Sequence, residues 1–469
     1  MARAQTITGG RDATVAVIPG RYALSVGWPN LPAPEGWSWT PLSSVARLES
    51  GHTPSRRRPE YWGGPIPWVG IRDATGNHGR VIHETLESTN ELGIENSSAR
   101  VLPKNTVCLS RTASVGYVVV MGRPMSTSQD FVNWICSEEL NPHFLKYVLL
   151  AEREALLMFA VGSVHQTIYF PEAKAFHICM PDRITQDSVV EVLGALDDKI
   201  ELNRRMSETL EATARAIFSD WFVDFGPTRA KMAMRGEDQH RNNIDRSPYL
   251  AADIWSLFPD TLDEDGKPEG WSAGALSDVA SLNPESWSRA MYPEAVDYVD
   301  LSNTKWGSIE ATTPYAREAA PSRAQRILRP GDTIVGTVRP GNGSYAYVSA
   351  QGLTGSTGFA VLRPKDQIFR EVVYFAVTAK ENIDRLARLA DGGAYPAVRP
   401  ELVTATELVV APGSLFAAFS STTRALLDRA EANKRETNTL AATRDFLLPK
   451  LMSGEVRIRD AEKLVGEVT

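Results

Sequence analysis

The sequence predicts an α+β chain: two mixed α/β domains in tandem, related by a pseudo-twofold and separated by two long helices packed as an antiparallel coiled coil. Three observations carry this expectation. Residues 34–48 read PEGWSWTPLSSVARL and residues 268–282 read PEGWSAGALSDVASL, matching at ten of fifteen positions with an offset of 234. Residues 198–213 (DKIELNRRMSETLEAT) meet residues 428–443 (DRAEANKRETNTLAAT) at an offset of 230. Two copies of one module with small loop differences produce such a pair of offsets. The third observation is a narrow apolar stripe in the segment that closes each copy.

Taken in order, residues 1–30 read as a tail and 31–184 as the first domain. The domain opens on the Pro34-Glu35-Gly36-Trp37 string and continues through short β-type runs at 106–109, 117–120 and 131–135, each bounded by turn residues. A helix follows, with Asn141 as N-cap, Pro142 at its first position and Gly162 near its end. A strand ends at Pro181, and a long helix spans 185–225. Residues 226–266, which open on Gly226-Pro227 and pass through a polar run, read as a linker. The second domain, 267–413, repeats the order with β-type runs at 333–338 and 358–362 and a helix over about 369–390. A second long helix covers 414–456, and 457–469 is a tail.

The closing helices set the frame. Val189, Leu193, Leu196, Ile200, Asn203, Leu210, Ile217 and Trp221 follow mostly three-four spacing, as do Leu415, Phe419, Thr422, Leu426, Asn433, Leu440 and Leu447. Stripes this narrow suit a two-helix seam, and burying each against the other is the economical arrangement. Asn203 and Asn433 either fix the register of that seam or lie at its solvated edge.

Composition narrows the function classes. Hydrophobic residues make up 43% and charged residues 23% of 469, ordinary globular values. The strongly apolar runs are far shorter than a membrane span needs. Cys108, Cys136 and Cys179 lack metal-ligand spacing and read as small buried hydrophobes in a reducing cytoplasm. The net charge of −7 sits awkwardly with nucleic-acid binding unless cations cluster on one face or a partner supplies them.

A search for catalytic chemistry finds none. There is no phosphate-cradling glycine loop of the GxxxxGK[ST] form. Asn141-Pro142-His143 and Asn283-Pro284-Glu285 lack the second proline of an amino-methyltransferase loop. Glu172-Ala173-Lys174 and Asp265-Gly266-Lys267 lack a convincing upstream acid for a metal-dependent nuclease. No HExxH or HxxxH pairing occurs among the seven histidines. The expectation is a binding protein with no catalytic, cofactor or metal site of its own.

Loops rich in arginine, hydroxyls and amides are the features that suit DNA. Residues 51–63 (GHTPSRRRPEYWG) offer Thr53, Ser55, Arg56, Arg57, Arg58, Tyr61 and Trp62 as phosphate clamps or base-edge donors. Arg111, Thr112, Ser128 and Gln129 bound β runs, and Ser163 and His165 lie in a turn after the first domain's helix. In the second domain the candidates are Asn303, Lys305, Arg339, Asn342, Ser344, Tyr345, Ser356 and Tyr395. Opening strings and closing helices are alike in the two copies, whereas these loops differ almost completely. Two readers of different half-sites on a shared frame need that contrast.

PEGW followed by Leu-Ser-x-Val-Ala, then Gly51-x-Thr53-Pro54-Ser55, Tyr61-Trp62-Gly63-Gly64 and Ile66-Pro67-Trp68-Val69, resembles the start of a type I restriction–modification specificity-subunit recognition domain. Residues 218–225 (FSDWFVDF) and 444–456 (RDFLLPKLMSGEV) resemble the ends of that family's two long helices. The resemblance covers about 31–460. It implies two target-recognition domains, each reading half of a split, asymmetric double-stranded DNA site. It further implies two methyltransferase subunits docked on the helices, restriction–translocase subunits joining them, and a cytoplasmic complex of phage defence. S-adenosylmethionine, ATP and Mg would then belong to the partners. The second copy has Asn283-Pro284-Glu285-Ser286-Trp287 where the first has the TPS…YWGG loop, which leaves its base contacts less defined. Two other readings remain open: a coiled-coil scaffold binding only protein, and a fused restriction enzyme carrying its own nuclease.

Overall fold

The first domain is built on a mixed sheet and the second on an antiparallel one; the β runs expected from sequence form their central strands, and 46–50, 81–82, 280–282 and 345–347 add strands that the sequence reading does not name. The computed structural model describes residues 17–160, 166–236, 248–393 and 395–466. In the first domain the strands are β1 (Ala46–Ser50), β2 (Val81–Ile82), β3 (Val107–Ser110), β4 (Val118–Met121) and β5 (Phe131–Cys136), in the order β1-β5-β3-β4-β2. In the second they are β6 (Ala280–Leu282), β7 (Thr333–Gly336), β8 (Tyr345–Tyr347) and β9 (Phe359–Pro364), in the order β6-β9-β7-β8. These are the same order with one strand fewer. A side sheet repeats too. Trp62–Val69 pairs parallel to Ser126–Thr127 and antiparallel to Glu87–Thr89. Ala295–Val299 likewise pairs parallel to Leu353–Ser356 and antiparallel to Thr313–Ala316. The repeat is therefore structural as well as textual.

Central strands are buried on both faces, so they read as continuous apolar runs rather than alternating ones. Val118–Met121 and Thr333–Gly336 are buried throughout. The helix expected after the first sheet begins at Pro142 with Asn141 accepting from the amides of His143 and Phe144, but it breaks at Glu152 into Pro142–Ala151 and Arg153–Phe159. The Glu152 side chain is fully buried, and its carboxylate accepts from the backbone amides of Arg21, Tyr22, Ala23 and Leu24. That clamp corrects the reading of residues 1–30 as a plain tail. Ile18–Pro19 and Leu24–Val26 are strands, the latter buried and paired with Phe176–Met180. The second domain's helix breaks as well, into Arg370–Val377 and Lys380–Leu389.

Two further segments are more ordered than a linker and a tail. Gly226-Pro227 opens a helix over Gly226–Met234, with the proline in the first turn, where its missing N–H costs nothing. Phe258 and Trp271 then enter the second domain's core. Ile458–Gly466 is helical, with Ala461 and Val465 buried.

The long helices are α1 (Arg183–Phe222) and α2 (Gly413–Met452), each of 40 residues. The chain divides into two compact units that share both helices. One comprises residues up to Lys199 with those from Thr439 on, and the other runs from Ile200 to Asn438. In the first unit Asp197 of α1 accepts from Lys146 Nζ (2.8 Å), Tyr147 Oη (2.7 Å) and Arg444 Nη1 of α2 (3.1 Å), tying domain and helices together. In the second unit α1 and α2 run antiparallel. Phe222 stacks on Phe416 (5.4 Å between centroids), Phe218 meets Phe419, and Ser207 Oγ donates to the Ala430 carbonyl. Tyr374 Oη donates to Glu211 of α1 at 2.8 Å, which anchors that domain. Among the described residues no helix is long and apolar enough to cross a membrane.

Asn203 and Asn433 are 1% and 0% exposed, so they are seam residues and not a solvated edge. Asn203 Nδ2 and both amide atoms of Asn433 find no hydrogen-bond partner among the described residues. An orphaned buried polar group costs about 1–3 kcal/mol. Replacing both residues together with Leu is therefore expected to raise the urea midpoint of unfolding. A lowered midpoint would show that the amides are satisfied.

Candidate nucleic-acid interface

Four chain segments of the first domain converge on one rim. His52 N donates to the Thr127 carbonyl at 2.9 Å, Arg111 N to the Asp130 carbonyl at 2.8 Å and Ile168 N to the Arg111 carbonyl at 2.9 Å. Thr53 Oγ1 donates to Gln129 Oε1 across the same rim. Candidates from 53–62, 111–112 and 128–129 thus come together, although they lie far apart in sequence. Ser163 and His165 lie outside the described residues.

The second domain builds its rim by the same backbone bonds. Thr337 N donates to the Gly358 carbonyl at 2.8 Å, and Val398 N to the Thr337 carbonyl at 2.9 Å. Arg111 and Thr337 therefore hold equivalent places. Two residues beyond each, Ala113 (φ 63°) and Arg339 (φ 47°) take the left-handed conformation. One rim thus presents a methyl group where the other presents a guanidinium. Arg339 lies over the ring of Tyr395 at 4.8 Å, and its amide donates to the Pro396 carbonyl. Asn342, exposed, is the last residue of the short helical turn that follows Arg339, and Asn303 is half-buried.

The three consecutive arginines divide by role. Arg56 lies over Trp62 at 3.9 Å and Trp68 at 4.8 Å, and it grips both carboxylate oxygens of Glu87. That hydrogen bond holds the Glu87 carboxyl below its usual range and raises the Arg56 guanidinium. Trp62 Nε1 donates back to the Ser55 carbonyl at 3.4 Å, closing the loop on itself. Arg58 pairs loosely with Glu60 at 3.5 Å. Arg57 is exposed and makes no side-chain ion pair or hydrogen bond among the described residues. Arg111 is half-buried and its Nε has no hydrogen-bond partner among the described residues; burial lowers its pKa against the opposing pull of Asp130.

Other candidates serve the fold. Ser128 and Ser356 are equivalent buried turn residues whose hydroxyls accept from the amides of Asp130 and Gly358. Ser344 is buried and donates to the Leu301 carbonyl at 3.1 Å, and Tyr345 is buried beneath Trp306, with burial raising its pKa. Lys305 is exposed and faces Glu310 at 3.8 Å. Tyr61 is half-buried, its carbonyl accepting from Thr89 Oγ1, and Thr112 is half-buried. Trp306, 62% exposed at a hairpin tip, ends the 302–306 string that suits DNA by sequence but is not among the candidate contacts. Its only signal is the Trp-Gly pair between two short β-type runs. Among the described residues no group of His, Cys, Asp and Glu could hold a metal ion.

Residues 34–212 match the model of the type I restriction modification DNA specificity domain. The MjaIX type I specificity subunit of Methanocaldococcus jannaschii is 24% identical over 438 residues, covering 91% of this chain and 95% of that protein. Residues 34–212 thus match a type I DNA specificity domain, and along most of its length the chain is similar to type I specificity subunits. The HindI specificity subunit of Haemophilus influenzae is 24% identical over 389 residues, covering 71% of this chain and 84% of its own. A crystal structure of the type-I restriction-modification system S subunit from M. genitalium shares the fold, with a TM-score of 0.51 at 16% identity over 88% of this chain and 96% of that one. A role in DNA recognition goes with the matched domain, and the two rims are the surfaces that differ between the chain's repeats.

If Arg57 faces phosphate and Arg56 only braces the loop, their variants separate. Arg57→Ala is expected to flatten the slope of log affinity against log salt by about 0.9, one phosphate contact. Arg56→Lys should keep the slope while speeding amide exchange across 53–62. Interchanged responses in a salt titration would reverse the assignment.

Proposed function

We propose that this chain is the non-catalytic reading subunit of a type I restriction–modification complex, each rim reading one half of a split, asymmetric double-stranded DNA site. The observation that carries the reading is the contrast between a shared backbone frame and unlike rims. The same amide bonds hold Arg111 and Thr337, yet Ala113 stands where Arg339 stands. A scaffold that bound two identical protein surfaces would have no reason to vary there alone.

In this reading two methyltransferase subunits dock on the helices, and restriction–translocase subunits join them in the cytoplasm. S-adenosylmethionine, ATP and Mg are held by those partners, while this chain contributes position and base contacts. The net charge of −7 is then compatible with DNA, because partners supply part of the cationic surface that encloses the duplex. The name of the M. jannaschii relative, a type I specificity subunit matched along nearly its full length, supports the assignment.

Mapping methylated adenines and cytosines in cells with and without this gene tests the reading. A two-part motif with an unspecified spacer should vanish on deletion. Exchanging residues 337–344 for the loop of another specificity subunit should change only one part. A methylation map indifferent to deletion would leave the chain without its proposed role.

A further inference from the structure

Thr304 pairs with Ile309 and Lys305 with Ser308, so Trp306 and Gly307 form a two-residue hairpin turn. Both have positive φ, 47° and 86°, the mark of a type I′ turn. Asn, Asp or Gly normally occupies the first central position, since a bulky side chain is strained there. A tryptophan in that place departs from local preference without filling a core: its side chain is 62% exposed. Such departures persist where the surroundings over-determine them, and they cluster at functional sites.

The surroundings here do hold the ring. Trp306 N donates to the Gly343 carbonyl at 2.7 Å, Gly307 N donates to Tyr345 at 2.9 Å, and Lys434 Nζ donates to the Gly307 carbonyl at 2.7 Å. One side of the indole lies against Gly343, where an added Cβ would meet ring carbons at 2.6 Å. It also meets Tyr345 edge-on, 6.0 Å between centroids. The turn sits on the loop that carries Arg339 and Asn342, the second domain's rim.

We propose that Trp306 is a specificity-determining residue of the second domain, reading the 5-methyl group of a thymine in the major groove. The inference rests on the DNA-reading role proposed above. An indole offers one donor and a broad apolar face, and the thymine methyl is the apolar group that base edges display in the major groove. A preset ring reads such a group without an ordering penalty.

The test uses the full chain in the methyltransferase complex that retains sequence-specific binding, with duplexes carrying single thymine-to-uracil changes across its motif. Uracil lacks only the methyl group. One position should lose affinity roughly fourfold, the value of one buried methyl, and Trp306→Asn should abolish that response while Trp306→Phe keeps part of it. Because Asn suits the turn, Trp306→Asn should also leave the thermal midpoint unchanged or raised, which a purely structural tryptophan would not allow. A motif with no uracil-sensitive position, or one whose sensitivity survives Trp306→Asn, overturns the proposal. Equal weakening on unrelated duplex does so as well, by making the ring a backbone or wedge contact. Absence of any sequence-specific binding by the wild-type complex would instead strike the DNA-reading role, and this inference with it.

Discussion

Everything in this molecule depends on burying the apolar stripes of two 40-residue helices, each of which would be half-solvated alone. The second unit shows how. Phe218, Trp221 and Phe222 of α1 interlock with Phe416 and Phe419 of α2, and Phe375 of the adjoining domain packs into the same cluster. Fully burying one such side chain contributes about 1.5–3 kcal/mol, so the cluster outweighs any single polar contact nearby. Domain and helices therefore share one core. The polar contacts that accompany it, Tyr374 on Glu211 and Lys146 on Asp197, are directional and fix orientation rather than supply the bulk of the stability.

A rigid frame lets loop side chains be sorted by what they already hold. A guanidinium gripped by Glu87 between two indoles has lost most of its capacity to meet phosphate, whereas its neighbour Arg57 has lost none. Hydroxyls divide in the same way. Ser128 and Ser356 complete their own turns, and both are buried. The working part of each rim is consequently smaller than its polar composition suggests, and the remainder preorganises it.

The frame was legible because it is written in periodic and repeated signals. The buried central strands are largely apolar runs, and the helices carry a mostly three-four stripe, of which Leu193, Leu196, Trp221, Leu415, Phe419, Leu440 and Leu447 are buried while Ile200, Leu210, Ile217, Thr422 and Leu426 are only half-buried. What sequence could not show depended on partners distant along the chain. Glu152 looks like an ordinary helical glutamate, but it breaks its helix to hold four amides about 130 residues earlier. In the run Arg56-Arg57-Arg58, nothing local reveals that Glu87 and Trp68 claim the first arginine. Gly226-Pro227 reads as a linker opening or as a helix start with equal ease, and only the packing of Phe258 and Trp271 decides between them. Trp306 lies in a string that suits DNA by composition, but hairpin-turn patterns favour Asn-Gly over Trp-Gly, so nothing local marks it as the tip.

The rims are attached through main-chain amides, and this explains how the two repeats diverged so far without losing their fold. The bonds from Arg111 to Asp130 and from Thr337 to Gly358 require only an N–H and a carbonyl, which every residue but proline supplies. Side chains at the tips carry little folding duty, so an alanine and an arginine can stand at equivalent left-handed positions. Strain is tolerated there because the sheets and the helical core behind it are satisfied independently. A fold arranged in this way separates two demands that usually conflict. Stability resides in a duplicated, apolar interior, while discrimination resides in side chains that the interior does not need.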